Sequence, residues 1–426
     1  MIPWQAPVAA APVHGNLVVP GSKSASARSL LLAALADGPS VISGVLDSRD
    51  TSLMRAGLTA LGAGFDDLPD GRLRVRPADP VTGGAEVECG LAGTVLRFLP
   101  PIAALAATPT LFHGDAAAAA RPVAPLLEAL AGLGATVSQP RVLPFRVSGG
   151  DSFRGGQVAI DASASSQFVS ALLLAGARFA DGVTVQHTGG TPPSLPHIEM
   201  TCTLLQRRGV VVERPADLTW RVLPGPIAAL DEIVEPDLTN AATLLAAALV
   251  TGGELGTAWP EGSVQAADDL LGVLAAFGAQ VSFSGEQGSR LVRVAGTGPV
   301  RGADVDLHAV SELTPVAAAL AAVADSPSVL RGVAHIRGHE TDRLAALTAE
   351  LGALGVGVRE TPDGLEITPG PRHGGSFHTH ADHRLAHAAA LIGLVTPGVV
   401  LDDVGCTAKT LPDFAGLWSH LLGAAG

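Results

Sequence analysis

Apolar residues along this chain fall into helical runs that stop on glycine, and the stops recur. Ala60-Leu61-Gly62, Gly132-Leu133-Gly134, Arg207-Arg208-Gly209, Ala276-Phe277-Gly278, Ala353-Leu354-Gly355 and Leu421-Leu422-Gly423 each close such a run. Successive glycines stand 72, 75, 69, 77 and 68 residues apart. A glycine just past a helix suits the left-handed turn that ends it. After each of the first five stops, small and β-branched residues begin a predicted strand, as in Ala135-Thr136-Val137 and Ala279-Gln280-Val281. A second series runs in step with the first. Ala/Leu-rich helices at 29–35, 168–174, 244–249, 315–322 and 385–391 lead through short turns into strands at 40–42, 182–185, 252–255, 328–330 and 398–401.

Six copies of about 70 residues, each with two helices and several strands, predict an α/β chain of α+β repeats. One copy is too small to bury its own apolar faces, so copies must pack together. The whole chain exceeds one core, which predicts two groups of three, with a solenoid as the alternative. Hydrophobic residues make up 47% of the chain and charged residues 16%, enough apolar content for a large core and too much for disorder.

Polar chemistry gathers where the Ala/Leu helices begin. Lys23, Ser24 and Arg28 open the first, the run Gly90-Leu91-Ala92-Gly93-Thr94-Val95-Leu96-Arg97 the second, and Ser163-Ala164-Ser165-Ser166-Gln167 the third. Glu312 opens the fifth and Asp382-His383-Arg384 the sixth. Helix starts rich in Gly and Ser offer free N–H groups and the positive dipole end, a setting for anions. Two further charged sets are Arg121-Pro122 and Glu340-Thr341-Asp342-Arg343; the latter is predicted to lie on one face of a helix start and reads singly as a surface ion pair.

Charge and composition narrow the partners. Net charge is −13 with no basic run, and Tyr is absent, so nucleic acid and anionic membranes are poor partners. Cys89, Cys202 and Cys406 form no pair or framework, which fits a reducing cytoplasm. The first 15 residues lack the basic start of a signal peptide, and apolar runs are too short or Pro-broken to span a bilayer. His378, His380, His383 and His387 lack a third ligand at suitable spacing, so neither a metal nor another cofactor is expected. No GxxxxGK[ST] or GxSxG is present. Lysine occurs twice only, as Lys23 and Lys409, among 27 basic residues. A chain that writes its other cations as Arg yet keeps two ammonium groups, both in small-residue turns, points to positions a guanidinium cannot fill.

Several of these runs together resemble the 5-enolpyruvylshikimate-3-phosphate (EPSP) synthase family. They are Pro20-Gly21-Ser22-Lys23-Ser24-Ala25-Ser26-Ala27-Arg28, Ala92-Gly93-Thr94 with Arg97, Arg121-Pro122, Ser165-Ser166-Gln167-Phe168, Glu340-Thr341-Asp342-Arg343-Leu344, Asp382-His383-Arg384 and Cys406-Thr407-Ala408-Lys409-Thr410, in the family's order. The resemblance implies a two-domain inverse α/β barrel of six βαβαββ-type units arranged three and three, closing over the substrates. One domain would be discontinuous, residues 1–21 with 230–426, and the other would be 22–229. It implies a cytoplasmic, cofactor-free monomer that moves the enolpyruvyl group of phosphoenolpyruvate to the 5-hydroxyl of shikimate 3-phosphate.

Carried over residue by residue, Lys23, Ser24, Arg28, Ser165, Ser166, Gln167, Ser194, Glu312, His335 and His339 would hold shikimate 3-phosphate. Lys23, Gly93, Arg121, Gln167, Arg343, Arg384 and Lys409 would surround phosphoenolpyruvate. Glu312, Glu340, Lys23 and Lys409 would be catalytic, Glu312 as base for the 5-hydroxyl, Glu340 and Lys409 as carriers of the methylene proton. The chain departs from the common family pattern at Glu312, where Asp is frequent, at His335 and His339, where Asn and Lys are, at His197, where Tyr is, and at Leu91 and Phe98. The nearest rival, UDP-N-acetylglucosamine enolpyruvyl transferase, uses a loop cysteine that 116–120 does not offer. A non-catalytic anion-binding relative is the other alternative.

Overall fold

A computed structural model describes residues 2–138, 141–149, 153–285 and 290–423. The chain divides into two compact units, Gly21–Glu235 and, joined from both ends of the chain, Met1–Pro20 with Pro236–Gly426. The described strands form six small sheets, five of four strands and one of three.

The repeat is plainest in the second unit of Gly21–Glu235. Strand Glu86–Glu88 leads through helix Gly93–Phe98 to strand Thr110–His113, then through helix Ala124–Gly132 to the hairpin Thr136–Val137 and Phe145–Ser148. The first two strands pair in parallel and the rest antiparallel, so each unit is a right-sized βαβ crossover followed by a hairpin. The six outer helices end at Gly62, Gly134, Gly209, Gly278, Gly355 and Gly423, all with positive φ between 70° and 106°. Those stops are therefore geometric: a side chain there would be strained, and glycine alone turns the chain back at little cost.

Two sheets borrow a strand from a distant stretch of chain. Glu232–Ile233 runs parallel to Ser40–Ser43 and completes the first sheet of Gly21–Glu235. Residues 230–235 consequently belong with that unit, and the unit boundary falls at 235 rather than at 229. In the other unit His14–Leu17 pairs in parallel with Glu254–Ala258, and Trp4–Gln5 pairs antiparallel with Val399–Leu401. These strands are too short to carry a hydrophobic period of their own.

The inner helices form each unit's core. Leu238–Thr251, Thr314–Val323 and His383–Gly393 are buried along almost their whole length, and their faces are apolar all round. Lys23–Ala34 and Gln167–Gly176 are buried likewise in Gly21–Glu235, beside the short helix Gly93–Phe98. Alanine dominates these helices because only a small side chain lets helix backbones pack closely on several sides at once. Apart from Ser29, Ser170, Thr243, Thr251 and His387, the polar residues of these longer helices lie toward their N-terminal ends. No described helix is long and apolar enough to cross a membrane.

Candidate active site

In the unit formed by both chain ends, three cations and three carboxylates gather around the starts of several helices and the turn that carries Lys409. Arg343 is the first residue of helix Arg343–Ala353, behind the N-cap Asp342, and its side chain is wholly buried. Its Nε and Nη2 donate to Asp382 at 2.7 and 3.3 Å, its Nη1 to Glu312 at 3.0 Å, and its Nη2 to Glu340 at 3.0 Å. The pair that reads in sequence as a surface ion pair is thus part of a buried network. Glu340 precedes the helix rather than sharing a face with Arg343, and reaches back to it from the loop. Its other oxygen accepts from Lys409 Nζ at 2.5 Å. Arg384 Nε lies 3.6 Å from Glu312, and its Nη1 donates to Asn240 at 2.8 Å.

Asp382 organises this cluster. It is completely buried, caps helix His383–Gly393 through the Arg384 backbone N–H at 2.8 Å, and grips Arg343 with both oxygens. Burial alone would draw the Arg343 guanidinium down; Asp382, Glu312 and Glu340 outweigh it and hold its pKa well above the ordinary value. Burial likewise pushes the Glu312 carboxyl up, but Arg343 and Arg384 overcome that and hold it well below the usual carboxylate range. Glu312 is therefore ionised at neutral pH. It sits in the 3₁₀ turn Ser311–Leu313, just ahead of helix Thr314–Val323.

Three histidines follow one another toward Glu312, with His339 beside it. The ring centroids of His308 and His335 lie 5.7 Å apart, and those of His335 and His339 5.8 Å. His339 Nδ1 is 3.1 Å from Arg343 Nη1 and 3.4 Å from Glu312. Burial lowers the pKa of His335 to about 4 and of His339 to about 3, so both imidazoles are neutral at pH 7. Among the described residues, Nε2 of His335 is buried without a hydrogen-bond partner.

Gly21–Glu235 carries the remaining candidates. Arg97 is the hub: its Nη1 donates to Gln167 Oε1 at 2.8 Å and to Ser165 Oγ at 3.3 Å, and its Nε and Nη2 to the Pro122 carbonyl. One buried guanidinium thus ties the third helix start to the Arg121-Pro122 turn. Arg121 Nη1 donates to the Leu91 carbonyl at 2.8 Å, and its guanidinium lies over the Cα of Gly93. Arg28 is only 2% exposed, and its donors go to Thr201, Ser170 and the carbonyls of Ser24 and His197. Among the described residues no carboxylate is within ion-pair distance of Arg28 or Arg121, so these buried or half-buried cations are not neutralised within their own unit. Lys23 Nζ stands 4.0 Å from Asp50. Ser166 is buried, Ser24 and Ser165 are half-buried, and Ser194 is buried at a left-handed turn with φ of 51°.

The sequence profile of EPSP synthase (3-phosphoshikimate 1-carboxyvinyltransferase) matches residues 8–418. The chain belongs to the EPSP synthase family. It is thereby an enzyme, a transferase of the enolpyruvyl-transferring class. Among solved structures it is similar in fold to an EPSP synthase from Acinetobacter baumannii, at 22% identity with a TM-score of 0.81, over 97% of each chain. It is also similar to the enolpyruvyl transferase NikO from Streptomyces tendae, at 20% identity and TM-score 0.75, over 97% of this chain and 96% of that one.

One residue of this EPSP synthase-family chain and one role escape a reading of the sequence. Asn240, near the start of the fourth inner helix, touches Arg384, and Asp382, named there only at a helix start, serves as the anchor of Arg343. The register of the repeat was the available signal for the first: five other units place polar chemistry at that helix start, and Asp237 with Asn240 occupies the same position in the fourth.

Proposed function

We propose that this protein transfers the enolpyruvyl group of phosphoenolpyruvate to the 5-hydroxyl of shikimate 3-phosphate and releases phosphate. The observation that carries the reading is Glu340 held between Lys409 and Arg343, with Glu312 ionised beside Arg343 and Arg384. That set supplies a base, a proton carrier and three cations within one network.

In the proposed reaction Glu312 accepts the 5-hydroxyl proton as that oxygen attacks C2 of phosphoenolpyruvate. C3 takes a proton from the Glu340–Lys409 pair, giving a tetrahedral ketal phosphate. The pair then recovers a proton from the C3 methyl group, the C2–O bond to phosphate breaks, and the alkene re-forms. A carboxylate and an ammonium held together at C3 put a proton acceptor and a proton donor at one place, which suits a step that gives a proton and then takes one. Lys23, Ser24, Arg28, Ser165, Ser166, Gln167, Ser194, Glu312, His335 and His339 hold shikimate 3-phosphate in this assignment. Lys23, Gly93, Arg121, Gln167, Arg343, Arg384 and Lys409 hold phosphoenolpyruvate.

Electrostatics supports the division of labour. Glu312, Glu340 and Asp382 balance Arg343, Arg384 and Lys409 one for one, so that cluster handles protons without a large net charge. Arg28 and Arg121 have no such partners, and a bound polyanion would supply them. A second reading, an enolpyruvyl transferase for a different acceptor, is favoured by His335 and His339, which bring no charge to the acceptor at neutral pH. The test is phosphate release from phosphoenolpyruvate with and without shikimate 3-phosphate. Release only with that acceptor is expected; none with it overturns the reading.

A further inference from the structure

We propose that Asn240 is a positioning residue that fixes the Arg384 guanidinium and the backbone of the Lys409 loop relative to each other, and so sets affinity for phosphoenolpyruvate. The inference rests on the enolpyruvyl-transfer reading above. Asn240 follows the N-cap Asp237 on helix Leu238–Thr251, to which its backbone N–H donates at 2.9 Å, and it is fully buried. Its Oδ1 accepts from Arg384 Nη1 at 2.8 Å, and its Nδ2 donates to the Thr410 carbonyl at 3.1 Å.

The chemistry of the two neighbours dictates how this amide must lie. A guanidinium only donates and a carbonyl only accepts, so oxygen faces Arg384 and nitrogen faces Thr410. A side chain here must therefore accept on one side and donate on the other at fixed reach. Asp matches the shape but has no donor, Ala reaches neither neighbour, and Gln is a methylene too long for a closed site.

Both neighbours matter. Among the described residues the buried Nε of Arg384 has no hydrogen-bond partner, lying 3.6 Å from Glu312, and its guanidinium makes its side-chain hydrogen bond to Asn240. Thr410 follows Lys409 directly; among the described residues its Oγ1 has no hydrogen-bond partner, and the Asn240 bond ties its carbonyl to the helix. One amide thus couples two cations drawn from elements 144 and 170 residues away in sequence. Losing it frees both to move, and displacements well under 1 Å at reacting groups cost on the order of tenfold.

The test uses the full-length protein with Asn240→Asp and Asn240→Ala. Phosphate release is measured while phosphoenolpyruvate and shikimate 3-phosphate are varied separately, and melting temperature is recorded. We expect the KM for phosphoenolpyruvate to rise about tenfold or more in both variants, with the KM for shikimate 3-phosphate within about twofold of wild type. A merely structural asparagine would lower the active fraction and the melting temperature and leave both KM values alone. That result, a parallel rise in both KM values, or failure of both variants to fold would overturn the inference. A wild-type protein that releases no phosphate with shikimate 3-phosphate would instead overturn the parent reading, and the inference with it.

Discussion

Placing a single methyl group on Gly93 probes the phosphoenolpyruvate side of this assignment. A Cβ built on Gly93 meets Arg121 Nη1 and Nη2 at 3.1 Å and Cζ at 3.2 Å, where ordinary contact begins at 3.4 Å. The guanidinium must retreat by about 0.3 Å, and it starts from a 2.8 Å bond to the Leu91 carbonyl, so the retreat stretches or rotates that bond. Backbone strain is not involved, since Gly93 does not adopt a positive φ. If 1 Å of misplacement costs about a hundredfold, 0.3 Å costs roughly fourfold, or about 0.8 kcal/mol. The methyl group adds its own bulk where the substrate approaches, so a rise of about four- to tenfold in KM for phosphoenolpyruvate is expected of Gly93→Ala. Glyphosate, which mimics phosphoenolpyruvate in this family, should lose inhibition in parallel, while KM for shikimate 3-phosphate stays near wild type. Steady-state phosphate release with each substrate varied measures this. Unchanged KM for phosphoenolpyruvate together with unchanged glyphosate inhibition would refute the placement of Gly93 and Arg121.

Other consequences are equally direct. Lys23→Arg and Lys409→Arg should fold normally yet lose at least about tenfold in turnover, a barrier rise of roughly 1.4 kcal/mol, because a guanidinium is bulkier and does not exchange protons at neutral pH; full turnover in both would return the two lysines to chance. Asp382→Asn leaves the fully buried Arg343 without its bidentate partner and should cost about 3–5 kcal/mol of stability by denaturant unfolding, and a loss under about 1 kcal/mol would count against the anchor role. Stability should also fall on acidification, before the carboxylates titrate. His335 and His339 titrate near 4 and 3 when folded and near 6.5 when unfolded, so between about pH 6.5 and 4 the unfolded chain binds protons the folded one refuses. Each then costs on the order of 2 kcal/mol at pH 5, stability being fully present above pH 6.5, and His339→Gln should flatten the fall; an unaltered pH slope would contradict the burial argument.

Much of this architecture is written in the chain because its punctuation is local. Gly62, Gly134, Gly209, Gly278, Gly355 and Gly423 need nothing beyond their own backbone to end a helix, so the period of about 70 residues survives translation into structure. Strand exchange is not local. Glu232–Ile233 and Trp4–Gln5 have two residues each, and only the sheet they join makes them strands. The same distinction divides the candidate site. Lys409 and Glu312 stand out as isolated charges in apolar or small-residue runs, and Arg384 stands in a polar run at the head of an apolar helix, which are composition signals. That Arg343 is buried rather than on a surface, that Glu340 reaches it from a loop, and that Arg28 turns into the protein are consequences of packing. No spacing rule reports burial, and burial decides whether an ion pair contributes almost nothing or organises a site.

The central claim is that the C3 carbon of phosphoenolpyruvate gains a proton and then loses one through Glu340 and Lys409 while shikimate 3-phosphate is joined to C2. Running the reaction in deuterium oxide and reading the vinylic methylene of the product by NMR tests this in one measurement. Deuterium in that methylene, appearing with phosphate release and only when shikimate 3-phosphate is present, is the predicted result. Phosphate release with an undeuterated product, or the same deuteration without the acceptor, would contradict it.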